Sequence, residues 1–98
     1  MKITWTHEAL VNIIEIENYI AEDNPRKAIE FTDLLIEKCI NLIDNPDMGR
    51  IVPELSDSNI RELIYKNYRI VYRHTDDEIQ ILTVFEGHRL LPLEFNIS

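Results

Sequence analysis

Cysteine is nearly missing from this chain: Cys39 stands alone among 98 residues, which excludes an internal disulfide and suits a reducing compartment. No cluster with metal-ligand spacing is present, so neither a metal nor another cofactor is expected. No apolar run approaches the length that crosses a bilayer, and the opening Met1-Lys-Ile-Thr-Trp-Thr lacks the apolar stretch of a secretion signal. The expected location is the cytoplasm, without a membrane partner. Internal repeats and low-complexity segments are absent as well. Positive charge is the remaining shortage, with ten Lys and Arg against eighteen Asp and Glu and a net charge of -8. Attraction of the whole surface to DNA or RNA is thereby excluded, because such binding draws its affinity from neutralised phosphates. Any contact with a polyanion must be local.

What is present suffices for one core. A chain of this length with 45% hydrophobic residues buries a single continuous interior, so one domain over residues 1-98 is expected. Lys2 to Trp5 reads as a strand. Thr6 then offers a side-chain oxygen to cap a helix that carries Glu8 in its first turn and runs to about Glu22. Ala9, Ile13, Ile16 and Ile20 recur at the spacing of one helical face, which marks them as core. Asp23-Asn24-Pro25 breaks the chain, with Asn24 placed to cap a second helix and Pro25 at its first position, where no amide donor is needed. Ala28, Phe31, Leu35, Cys39 and Leu42 form the stripe of that helix. Ile29, Ile36, Ile40 and Ile43 widen it to nearly half the circumference, more than a helix packed on one side requires. Asn45-Pro46 ends it, since a residue before proline avoids helical torsions. Cys39 on the core stripe reads as inert packing.

Residues 46-59 contain two prolines and Gly49 and read as a loop. Three strand-like runs follow at about 60-65, 68-74 and 78-86, joined by Lys66-Asn67 and Thr75-Asp76-Asp77. Connections this short favour consecutive antiparallel hairpins. The order strand, helix, helix and three strands predicts an α+β fold, with the helical hairpin on one face of a three-stranded antiparallel meander.

Charge is unevenly spread over this frame. Residues 1-58 hold 12 acids and 5 bases, a balance of -7, and residues 59-98 hold 6 acids and 5 bases, a balance of -1. Arg61, Lys66, Arg69 and Arg73 fall between positions 60 and 74 with only Glu62 against them, and Arg89 follows the last apolar run. Strand-borne arginines of this kind predict a local cationic surface that meets an anion. The plainer alternative is pairing with nearby Asp76, Asp77 and Glu86. Tyr65, Tyr68 and Tyr72 could stack on bases, although aromatic residues on a half-buried sheet more often pack.

Several of these residues together resemble a known family. Trp5-Thr6 opening a helix with Ala9, Tyr19-Ile20 before Asn24-Pro25, then Ala28 and Phe31 match its N-terminal half in order and spacing. Gly49-Arg50, Pro53-Glu54-Leu55, Arg61-Glu62-Leu63, Tyr68 to Arg73 and Gly87-His88-Arg89 continue the match. The chain resembles the RelE/ParE superfamily of bacterial type II toxins, closer to its ParE-like members. The resemblance implies a toxin neutralised by a co-encoded antitoxin that wraps over its helices and sheet. A toxin-antitoxin hetero-oligomer would follow. The broad stripe of Ile29, Ile36, Ile40 and Ile43 is the expected antitoxin face.

Two activities diverge within that superfamily. RelE-like members cleave mRNA on the ribosome, and ParE-like members inhibit DNA gyrase by binding. Arg69 and Arg89 match the two arginines of the nuclease motif, where a guanidinium holds the scissile phosphate. The lysines of that motif are replaced by Ile60 and Glu62, and its terminal aromatic position holds Phe95, which has no proton to give. Phosphate cleavage needs a proton acceptor and a donor, and the matching positions supply neither. His88, beside Arg89, is the substitute acid/base on offer, against the more common reading of a surface histidine. His7 and His74 have no matching partner by spacing. The resemblance therefore implies a gyrase-binding toxin rather than an enzyme, with Arg61, Arg69, Arg73 and Arg89 as target-binding residues. A ribosome-dependent mRNA endonuclease is the alternative, and a degenerate toxin that keeps only antitoxin binding is a third.

Overall fold

A computed structural model of the protein describes residues 1-87, and the expected sites His88, Arg89 and Phe95 lie outside the described residues. The chain forms β1 (Lys2–Trp5), α1 (His7–Ala21), α2 (Pro25–Ile40) and a 3-10 turn (Asn41–Ile43). These lead into β2 (Arg50–Ile51), β3 (Ile60–Tyr65), β4 (Tyr68–His74) and β5 (Glu78–Glu86). Both helices start where capping chemistry places them. The Thr6 hydroxyl accepts from the Ala9 amide at 3.0 Å and donates to the Leu82 carbonyl at 2.7 Å, so one side chain caps α1 and ties it to β5. The Asn24 side chain accepts from the Lys27 amide at 3.1 Å, with Pro25 at the first position of α2.

The five strands form one mixed sheet in the order β1-β5-β4-β3-β2. β3, β4 and β5 are the expected antiparallel meander. β1 joins it in parallel beside β5, with Lys2 opposite Glu78 and Trp5 opposite Ile81. The helical hairpin lies across one face. Ala9, Ile13, Ile16, Leu35, Cys39 and Leu42 meet Tyr65, Tyr68, Ile70, Tyr72, Ile79, Ile81 and Val84 in the main core. Leu35, Leu42, Tyr72 and Ile81 are fully enclosed, and burying each large apolar side chain contributes about 1.5–3 kcal/mol. Phe31 of α2 packs on Tyr65 and Tyr68 with ring centroids 5.4 and 5.5 Å apart. The three tyrosines of the hairpin are packing residues.

Two features depart from the sequence reading. α2 stops at Ile40 and tightens into the 3-10 turn, short of Asn45. The segment 46-59, expected as a plain loop, contributes the edge strand β2 and folds across the sheet face opposite the helices. There Val52 and Leu55 join Ile60, Val71, Leu82 and Phe85 in a second, smaller core. Arg69 lies buried on that face, beneath the covering segment, rather than on the open cationic surface that the arginine count suggested.

Candidate functional site

Antiparallel register decides which arginines share a face. Arg61 pairs with Tyr72, whereas Arg69 pairs with Ile64 and Arg73 with Ile60. Paired residues point to the same side of a sheet and successive residues alternate. Arg61 thus lies with Tyr72 on the helix side, and Arg69 and Arg73 lie on the opposite side with Glu62. The four expected target-binding arginines are not one patch, and Arg89 lies beyond the described residues.

Arg69 is the centre of a buried charge network. Its Nε donates to Glu62 Oε1 at 2.7 Å, and Nη2 and Nη1 donate to Glu54 Oε1 and Oε2 at 2.7 and 3.0 Å in a two-pronged grip. The other Glu62 oxygen accepts from Arg50 Nε, also at 2.7 Å. Beneath the guanidinium, Phe85 sits 4.9 Å away, directly across the strand pair. The Glu62 side chain is fully buried and that of Arg69 is 6% exposed. Opposed carboxylates and guanidiniums offset one another, which is what allows the Glu62 and Arg69 side chains to be buried. The hydrogen bonds that Arg69 donates to Glu54, and then to Glu62, raise its pKa, outweighing the burial that lowers it. Its guanidinium is committed to internal carboxylates rather than presented to an external phosphate.

Arg61 is also bound to the protein. Its Nη1 donates to the Gly49 carbonyl at 2.9 Å, and its Nε lies 3.5 Å from Asp47. The Tyr72 hydroxyl reaches the same segment, donating to the Pro46 carbonyl at 2.6 Å and accepting from the Gly49 amide at 3.0 Å. Gly49 is required by this approach: a Cβ there would stand 2.6 Å from the Glu62 carbonyl and 2.8 Å from the Tyr72 ring. Asp47 further approaches His74 Nδ1 at 3.3 Å. Arg73 is half-buried and engaged in the structure as well. The pairing reading was right in kind for Arg61 and Arg69, with Asp47, Glu54 and Glu62 as partners in place of Asp76, Asp77 and Glu86. Sequence reasoning missed Arg50, Glu54 and Glu62 as one unit. Counting register outward from the Lys66-Asn67 turn would have placed Glu62 beside Arg69, but nothing local signals that residue 54 folds back over the sheet.

The expected antitoxin face is partly open. Ile29 and Ile40 are 56% and 48% exposed, Ile36 and Ile43 are half-buried, and the face of α2 turned to the core is instead Ala28, Thr32, Leu35 and Cys39. Leu10, Ile14 and Tyr19 are exposed on α1, which makes the hairpin unusually apolar on its outside. Among the described residues no group of His, Cys, Asp and Glu is arranged to hold a metal ion, and no helix is long and apolar enough to cross a membrane.

A strand, a helical hairpin and a meander closing on that first strand define the class, an α+β toxin fold of the ParE kind. A solved structure described as the chromosomal ParDE TA system from P. aeruginosa shares it, with a TM-score of 0.73 and 24% identity over 88% of this chain and 95% of that one. The model of the family described as the ParE toxin of type II toxin-antitoxin system, parDE, matches residues 3–91, and the chain belongs to that family. No curated protein matches it.

Proposed function

We propose that this ParE-family protein acts in the cytoplasm, arresting growth by binding DNA gyrase until a cognate antitoxin neutralises it. Membership of the ParE family supports the reading. The single observation that carries it against the nuclease alternative is the Glu54–Arg69–Glu62 clamp. A phosphate-cleaving site needs a guanidinium free to meet the substrate, and here two carboxylates hold it. Binding to gyrase therefore falls to surface other than Arg69 and other than Arg61, which fastens residues 47–49 to the sheet; of the original four, Arg89 is the candidate, with Arg73, half-buried and engaged, beside it only as a secondary contact. The same sequestration favours a second reading, a chain that retains only antitoxin binding.

Expression without the co-encoded antitoxin tests these readings. Growth arrest with trapped gyrase cleavage complexes and a DNA-damage response is the expected result, abolished by Arg89→Glu. Harmless expression of correctly folded protein would replace the gyrase reading with the antitoxin-only one. Codon-specific cleavage of mRNA in a defined translation complex, lost in Arg89→Ala, would establish the nuclease instead.

A further inference from the structure

One surface of the molecule combines apolar side chains with the carboxylates of Glu8 and Glu15. A groove of about 440 Å³ runs between α1 and the β4–β5 end of the sheet. Glu8, Asn12, Glu15 and Tyr19 follow one another along α1 at four, three and four residues, the spacing of a single helical face. Ile16, Tyr68 and Val84 line the groove below them. Its floor is rigid, because Asn12 Oδ1 accepts from the Val84 amide at 2.9 Å and the Thr83 hydroxyl at 3.0 Å, pinning α1 to β5. Tyr19 is left 70% exposed at one end.

Among the described residues that line this groove, the charged ones are the acids Glu8, Glu15 and Glu86. α1 contains Glu8, Glu15 and Glu17 and no lysine or arginine, so no internal cation answers Glu8 or Glu15 on their own helix. Residues 7-40 of the helical hairpin hold eight acids and three bases, a balance of -5. A segment that lays aliphatic side chains on Ile16, Tyr19, Tyr68 and Val84 must bring cations to Glu8 and Glu15, since an acidic one would bring like charges together. We propose that the groove receives a cationic amphipathic segment of the neutralising antitoxin, with lysine or arginine over Glu8 and Glu15. This rests on the toxin-antitoxin reading above and adds the polarity of the interface: acid on the toxin, base on the partner.

The probe is the protein encoded beside this gene, titrated against the full chain by calorimetry. Wild-type affinity should fall at least about tenfold as salt rises from about 0.1 to about 0.5 M, because exposed charge pairs are screened over that range. Glu15→Lys should lower affinity at least about tenfold again with an unchanged melting temperature, and Glu15→Gln should lie between. A photo-crosslinker on Glu15→Cys, with Cys39 buried and silent, should capture a Lys/Arg-rich stretch of the partner. Binding that ignores salt and Glu15→Lys would overturn the groove assignment and leave the toxin reading intact. Crosslinks to residues 88-98 of the same chain, or to a second copy, would also overturn it. If the co-encoded protein fails to bind wild-type chain at all, both the assignment and the toxin-antitoxin reading fail.

Discussion

Glu62 is the residue on which the two faces of this molecule's chemistry turn. It sits mid-strand, where a carboxylate is unfavourable, and is stable there because each of its oxygens meets a guanidinium at 2.7 Å. Removing it takes from Arg69, in a nearly water-free site, the carboxylate that its Nε meets. Glu62→Ala should therefore cost about 3–5 kcal/mol, seen as a lowered midpoint in urea denaturation. A companion change separates charge from packing: Glu62→Gln with Arg69→Leu should cost less than the sum of the two single changes, because the pair is coupled. Additive losses would mean that the two side chains act independently. Neither residue announces this role in the sequence. Arg69 read equally well as a phosphate-binding group, and Glu62 read as a missing lysine.

At the scale of elements, α2 shows how periodicity reports apolarity without reporting what covers it. Leu35 and Ile40 both fall within the broad stripe, yet Leu35 is wholly buried and Ile40 is nearly half exposed. Leu35→Asp places a charge in the main core and should leave the protein unfolded by circular dichroism. Ile40→Asp should keep the fold and its melting temperature to within a few degrees, while weakening antitoxin binding by at least about tenfold if Ile40 contributes to that contact. Unchanged antitoxin affinity in a folded Ile40→Asp variant would confine docking to other surfaces of the hairpin. The segment 46-59 gives the complementary lesson. Its prolines and glycine correctly mark an irregular path, but its destination depends on Tyr72, Arg61 and Glu62, which receive it through Pro46, Gly49 and Arg50.

For the molecule as a whole, burial couples stability to alkaline pH. The Cys39 thiol is pushed from its ordinary 9.0 up to about 12 by burial. Burial also raises the Tyr72 hydroxyl above its ordinary 10.0, against the lowering effect of the Gly49 amide, and raises Tyr68 with help from the Glu86 charge. In each case the folded state keeps its proton longer than the unfolded chain does. Stability is therefore whole below about pH 9 and falls as the pH rises through 9 toward 12, where unfolding releases protons first. Melting temperatures measured from pH 8 to 11 should decline steadily over that span, and Cys39→Ser should flatten part of the decline. In the native state at pH 8 the thiol should react with a disulfide reagent only as fast as the protein opens. Reaction at the rate of a free thiol would show that Cys39 is not enclosed.

The sequence by itself determined the elements, their order and much of what they bury. Apolar periodicity, the Thr6 and Asn24 caps and two short polar turns are local signals, each acting within a few residues. It also carried the family, through Trp5-Thr6, Gly49-Arg50 and the Tyr68 to Arg73 strand. Only the tertiary structure decided what the arginines do. Their roles depend on strand register, which puts Arg61 and Arg69 on opposite faces, and on a fold-back that brings Glu54 onto Arg69 from fifteen residues away. Such contacts are made by the closing of the sheet and its covering segment, so a cationic run on paper becomes a set of internal ion pairs in space.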